Sequence, residues 1–97
     1  MFAVINHIHS SKPVNEFKAA VEQELPPLLS SFPGFRDFYF VREGEDRCVA
    51  IILWDSAAEA ANGAKEIGST WFNQNVVPYL ASEQQRSMGE VLVSYNA

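Results

Sequence analysis

Two runs decide the fold: Gly34-Phe-Arg-Asp-Phe-Tyr-Phe-Val-Arg-Glu43 and Asp46-Arg-Cys-Val-Ala-Ile-Ile-Leu-Trp54, joined through the polar, glycine-bearing stretch Glu43-Gly44-Glu45-Asp46. A turn of that composition between two β-forming runs predicts a hairpin. The second run is apolar at every position from Cys48 to Trp54. Strand side chains alternate between faces, so both faces of this strand must be covered. In the first run Phe38 and Phe40 share one parity while Phe35, Tyr39 and Val41 share the other, which again offers apolar surface on both sides.

Working outward, residues Met1 to His9 read as a strand, with Phe2, Val4 and Ile8 on one parity and Ala3, Ile5, His7 and His9 on the other. After Ser10-Ser11-Lys12-Pro13, the residues Val14, Phe17, Val21, Leu25, Leu28 and Phe32 recur at the spacing of one helical face. Pro26-Pro27 predicts a kink or restart in that helix, and Pro33-Gly34 ends it. Beyond the hairpin, Asp55 and Ser56 can cap a helix whose small residues, Ala57 to Ala64 with Gly63, permit close approach to a sheet. Gly68-Ser69 predicts a break. A second helical stretch then carries Trp71, Phe72, Asn75, Val76, Tyr79 and Leu80, with Pro78 ending or bending it. Residues Ala81 to Ser87 read as a polar connection and Glu90 to Tyr95 as the last strand.

The order is βαββαβ in one domain spanning residues 1–97. Right-handed crossovers place both helices on one face of a four-stranded antiparallel sheet, an α+β ferredoxin-like arrangement. The opposite face is left apolar and bare. A homodimer in which two such faces meet is the simplest cover.

Composition narrows the function classes. Twelve acidic against seven basic residues give a net charge of −5 without a Lys or Arg cluster, which argues against nucleic acid as a partner. No apolar stretch approaches the length of a membrane span, and Met1 to His7 lacks the pattern of a signal peptide, so the expected location is the cytoplasm. Cys48 is the single cysteine, which leaves no internal disulfide and no multi-cysteine metal centre. His7 and His9 could share a metal only with further ligands, and none stands at recognisable spacing.

The ordering, together with Phe32-Pro33-Gly34-Phe35, Leu53-Trp54-Asp55-Ser56-Ala57-Ala58-Glu59-Ala60, Trp71-Phe72-Asn73-Gln74-Asn75-Val76-Val77-Pro78-Tyr79-Leu80 and Gly89-Glu90-Val91-Leu92-Val93, resembles the antibiotic biosynthesis monooxygenase-like (ABM) domains over essentially the whole chain. The resemblance implies a dimeric α/β barrel of ferredoxin-like subunits. It also implies an activity drawn from a group that includes cofactor-independent quinone-forming oxygenases and haem-degrading enzymes. Haem-degrading members carry an axial histidine on the second crossover helix. This chain has none between Ser56 and Ser87, so haem ligation by that mode is disfavoured and no cofactor is expected.

Against that background the chemistry-bearing residues fall into groups. Asn6 interrupts the apolar parity of a central strand, so its amide needs hydrogen-bond partners or a ligand, and it looks like the pocket asparagine of the oxygenase and haem-degrading members. Trp71, Asn75 and Tyr79 stand at i, i+4 and i+8 with Phe72 beside them, a line of indole, amide and phenol that suits a flat aromatic ligand. The same residues would also serve as core with polar tips at the surface. His7 lies on the opposite parity from Asn6 and could exchange protons near neutral pH or pack at an interface. Tyr39 is a further ligand-wall candidate, as is Arg36 on the other parity.

The expected function is therefore a small cofactor-independent monooxygenase on an electron-rich aromatic, with Asn6, Asn75 and Tyr79 catalytic and Trp71, Phe72, Tyr39 and His7 binding substrate. The alternatives are a non-catalytic dimeric module for a small apolar ligand and an isomerase or lyase on the same barrel.

Overall fold

The computed structural model describes all 97 residues. β1 (Phe2–His9), α1 (Asn15–Ser30), β2 (Phe35–Arg42), β3 (Arg47–Trp54), α2 (Ala57–Ile67) and β4 (Gln85–Glu90) follow in the βαββαβ order, and the sheet runs β2-β3-β1-β4. All neighbours are antiparallel. This is the α+β ferredoxin-like arrangement read from the sequence.

Period-2 alternation sets the two faces. Val4, Asn6 and Ile8 of β1 and Cys48, Ala50, Ile52 and Trp54 of β3 are buried toward the helices. α1 meets them with Phe17, Val21, Leu25 and Leu29, and α2 with Ala60, Gly63 and Ile67. On the other face Tyr39 and Val41 of β2 stand exposed, and Ile5, Ile51 and Leu53 are half-covered. Val49 on that face is buried among its strand neighbours, while both helices pack on the opposite side.

Local signals explain most boundaries. Gly34 adopts φ 83°, a left-handed conformation that lets the chain turn from α1 into β2, and an added Cβ there would also overlap the Glu59 carboxylate. The Ser56 hydroxyl accepts from the Glu59 amide at 3.2 Å and donates to the Glu59 carboxylate at 2.9 Å, capping α2. The turn after β2 closes through the Glu43 and Gly44 amides, both donating to the Arg47 carbonyl.

Three expectations need correction. α1 runs through Pro26-Pro27 without restarting, because its buried face continues across them at Leu25 and Leu29. Gly68-Ser69 does not break the second crossover: Gly68 keeps helical angles (φ −63°, ψ −41°), and the chain widens into a π turn over Gly68–Phe72. A short helical turn α3 (Asn73–Asn75) and a 3-10 turn (Val77–Tyr79) complete it. The last strand is Gln85–Glu90, so Glu90 is its end and not its beginning. Backbone pairing with β1, from His7 opposite Gln85 to Phe2 opposite Glu90, decides this against the stronger β propensity of Val91 to Tyr95.

Cys48 is fully buried, and burial, with the nearby Glu43 charge adding to it, pushes its thiol up to about 11. A folded-state value raised this way adds stability below the ordinary thiol pKa, and that stability is lost as pH rises toward about 11. In native protein at pH 8, Cys48 is therefore expected to resist iodoacetamide, and to be labelled stoichiometrically only after denaturant is added. Mass spectrometry of the intact chain reads both states.

Candidate functional site

Between the sheet and the second crossover lie two adjoining pockets, the two lobes of the candidate site. Asn6, Ile52, Ile67 and Phe72 line both. The first lobe adds Val4, Trp54, Ala64, Gly68, Gln84 and Arg86 and has a volume of about 30 Å³. The second adds α1 residues, Phe40, Ala50, Trp71 and Val76 and has a volume of about 50 Å³. This is room for a few waters with the side chains as they stand.

Asn6 sits at the junction and is 8% exposed. Its Oδ1 accepts from Gln84 Nε2 at 2.7 Å and from Arg86 Nε at 3.2 Å. Arginine can only donate, so the acceptor facing it must be the amide oxygen, and Nδ2 is left without a partner in the chain. Arg86 forms no ion pair and is the only charged residue on the lining of either lobe. Asn6 is thus both anchored and half-available.

The two lobes share a second feature. Trp54 lines the first and Trp71 the second, each indole is at least nine-tenths buried, and each Nε1 is buried without a hydrogen-bond partner. A buried donor left unpaired costs about 1–3 kcal/mol. The walls of the two lobes therefore each bury an unpaired indole N–H, and the unpaired amide of Asn6 lies at the junction. No carboxylate or imidazole lines it.

Sequence position brings some of the expected residues here and sends others elsewhere. Asn6, Trp71 and Phe72 converge. Asn75 lies outside the lining and donates its amide to the Trp71 carbonyl at 2.9 Å, bracing the turn that carries the indole. Tyr79 is half-buried outside the lining, with the Lys12 ammonium 4.2 Å from its ring centre. His7 opens onto the other side of the sheet, in a polar depression with His9, Glu43, Arg47 and Glu83. His9 there meets Asp46 at 3.1 Å. Tyr39 is 54% exposed on that same bare face, and Arg36 pairs with Asp55 at 3.0 Å. Gln84, Arg86 and Trp54 join the site without a signal in the sequence. The first two lie in what reads as a polar connection, and Trp54 reads as core.

Solved structures share this architecture. SnoaB, described as a cofactor-independent oxygenase from Streptomyces nogalater, superposes with a TM-score of 0.77 at 14% identity, over 96% of this chain and 94% of that one. The chain has the antibiotic biosynthesis monooxygenase-like fold. A monooxygenase from the ActVA-Orf6 gene of Streptomyces coelicolor, solved with nanaomycin D, aligns over 96% of this chain and 92% of its own at TM-score 0.72 and 14% identity. MhuD, solved as a point mutant with manganese protoporphyrin IX in its active site, covers 100% of both chains at TM-score 0.75 and 16% identity. No protein-family model and no curated protein matches the sequence. Among proteins of ABM-like fold, then, this chain is similar in shape to monooxygenases at low identity. No helix is long and apolar enough to cross a membrane.

Proposed function

We propose that the chain is a small homodimeric, cofactor-independent monooxygenase of the cytoplasm, acting on an electron-rich aromatic such as a phenol, hydroquinone or anthrone in the Asn6 cavity. One observation carries this reading: a largely apolar pocket pair holds the Asn6 amide at its junction with the oxygen engaged and the NH2 group unpaired, and the unpaired indole N–H groups of Trp54 and Trp71 lie buried in its walls. Such a lining fits a flat molecule whose oxygens accept, and fits it better as its charge grows. Its general kind agrees with the cofactor-independent oxygenase and the monooxygenase that share the fold.

In the proposed reaction the substrate enters ionised or is deprotonated on binding. For an anthrone, the carbanion-like form reduces O2, the ring CH2 becomes C=O with one oxygen atom, and the other oxygen leaves as water with the two hydrogens. Asn6 donates to the developing oxyanion, and the apolar wall of Ile52, Ile67 and Phe72 excludes water. Asn75 acts by fixing the turn that carries Trp71. A role for Tyr79 or His7 in moving the proton would require the substrate or the chain to bridge to them, since neither lines the cavity. Ligand entry requires Phe72 and Trp71 to swing on the π turn, a feature that recurs at functional sites.

The second reading is a non-catalytic dimeric module for the same kind of ligand. It is favoured by the lack of any carboxylate or imidazole on the lining. An isomerase or lyase needs a proton-transfer group at the substrate and is less well served by this site. A thermal-shift screen against phenols, hydroquinones, anthrones, lactones and haem separates the readings when oxygen uptake is followed for each hit. Stabilisation with uptake supports the oxygenase, and stabilisation without uptake supports the module.

A further inference from the structure

The two lobes of the candidate site suit occupants of different size. The first opens to solvent: Arg86 on its rim is exposed, and Gln84, Ala64, Gly68 and Phe72 are half-buried. The second is closed by comparison. None of its lining residues is exposed, only Phe40 and Phe72 are half-buried, and Asn6 is its one residue that is not hydrophobic. Its volume of about 50 Å³ is several times the roughly 10–15 Å³ that one water-sized sphere needs, against roughly 150 Å³ for a cavity that takes a benzene ring.

This space has an origin in the sequence. On the helix-facing parity of β3 the side chains run Cys48, Ala50, Ile52 and Trp54, and Ala50, the shortest, stands directly opposite Asn6 in the register with β1. α1 crosses here with Phe17, Val21 and Leu25, and Phe17 packs edge-on against Phe40 with ring centres 6.1 Å apart. Rings and branched side chains of that size cannot close over the gap that an alanine leaves. Water is a poor tenant for it. A buried water wants two to four polar partners, whereas this lobe offers the Asn6 amide and an indole N–H of Trp71 that lies within the wall. A small apolar molecule needs no partner, and it restores dispersion contacts that the lining atoms otherwise lack.

We infer that the second lobe is a dioxygen site: the aromatic occupies the first lobe, O2 the second, and the two meet at Asn6. The inference rests on the oxygenase reading and adds where the co-substrate binds. Side chains opposite one another on neighbouring strands stand about 4.5–5.5 Å apart, so a diatomic molecule against Ala50 lies beside the amide that holds the substrate oxygen. For an anthrone, the CH2 carbon first loses a proton. The resulting carbanion forms a C–O bond to O2, and the peroxide anion so made takes up a proton. The O–O bond then breaks as the second CH2 hydrogen leaves as a proton, giving C=O and water. All the electrons that reduce O2 come from that carbon, so no other reductant is needed.

The test is methyl NMR of the full chain under xenon, a small apolar probe, joined to oxygen-uptake kinetics with an aromatic that raises Tm. Xenon is expected to shift the methyl signals of Val21, Leu25 and Val76. Ala50→Val and Ala50→Ile fill the lobe in two steps with side chains that suit a strand, and Tm confirms that each variant folds. Both should lose the xenon shift in order of bulk, and Ala50→Ile should lower kcat/KM for O2 about tenfold or more while Kd for the aromatic changes less than about twofold. Gly68→Leu does the converse. Gly68 lines the first lobe alone and a Cβ there meets nothing within 4 Å, so this variant should fold, keep the xenon shift and weaken the aromatic. Absence of a xenon shift at these methyls, or Ala50 variants that exclude xenon with an unchanged dependence on O2, overturns the dioxygen site and leaves the oxygenase reading standing. Ala50 variants that weaken the aromatic as much as they slow O2 give the lobe to the substrate and overturn it too. The oxygenase reading fails on a different result, no uptake with any stabilising aromatic, and the dioxygen site then falls with it even where xenon binds.

Discussion

Asn6→Ala is expected to lower turnover about 10²–10³-fold, the usual effect of deleting a donor that stabilises a developing oxyanion. The amide is placed for that effect by the two donors that occupy its oxygen, Gln84 Nε2 at 2.7 Å and Arg86 Nε at 3.2 Å, which leave the NH2 group free for a ligand. Stability should suffer much less. Gln84 is only half-buried and Arg86 is exposed, so both can turn to water when their acceptor is removed, and the loss should stay near the lower end of the roughly 1–3 kcal/mol span for unpaired buried groups. Urea unfolding monitored alongside kcat measures the two effects separately. An Asn6→Ala chain that loses several kcal/mol of stability with its residual turnover unchanged would make the residue structural.

Trp54→Ala should have the largest effect on folding, about 3–5 kcal/mol. The indole is 1% exposed at the end of β3, where Phe32 and Phe35 pack edge-on against it with ring centres 6.5 and 5.9 Å away. Gly63 of α2 is pressed so closely to the far edge of the ring that an added Cβ would overlap Trp54 Cζ2 and Cη2. Neither the aromatic neighbours nor the helix backbone can collapse into the space of a whole indole, so most of the cavity remains. For a domain whose total stability is on the order of 5–15 kcal/mol, that is enough to populate the unfolded chain at 37 °C. Trp54→Phe should recover more than half of the loss while still removing the spare Nε1 donor, so its ligand affinity reads the indole N–H apart from its bulk. Chemical denaturation of both variants gives the ΔΔG values directly.

The parts of the fold that are legible in the sequence are those where burial and local propensity agree. α1 shows its face through Phe17, Val21 and Leu25, and the hairpin shows itself because β3 is apolar on both sides and the turn carries Gly44. β4 is misread because the two signals diverge there. Gln85 to Glu90 are exposed and polar enough to pass for a loop, and only pairing with β1 makes them a strand, whereas Val91 to Tyr95 have the propensity and no edge to use within the chain. The site follows the same division. Asn6 is visible because a polar residue interrupts a buried apolar parity, and Trp71 because it sits at helical spacing. Gln84 and Arg86 are invisible because their contact with Asn6, 78 and 80 residues away, exists only once β4 takes its register beside β1. Trp54 is readable as core, but the unpaired state of its Nε1 is a property of the packed interior.

The bare sheet face has a parallel reading. Ile5, Ile51 and Leu53 are half-covered, while Tyr39 and Val41 stand out at the β2 edge. Their apolarity is plain from strand parity, and the proposed homodimer is the device that would cover them.

The most direct test of the central claim is oxygen uptake by the chelator-treated full-length protein with a phenol, hydroquinone or anthrone that raises its Tm, compared with Asn6→Ala under identical substrate saturation. The expected result is one O2 consumed per quinone-type carbonyl formed from an anthrone CH2, with uptake reduced about 10²–10³-fold in Asn6→Ala. Tight binding with no oxygen consumed, or equal consumption by the wild-type and Asn6→Ala chains, would contradict it.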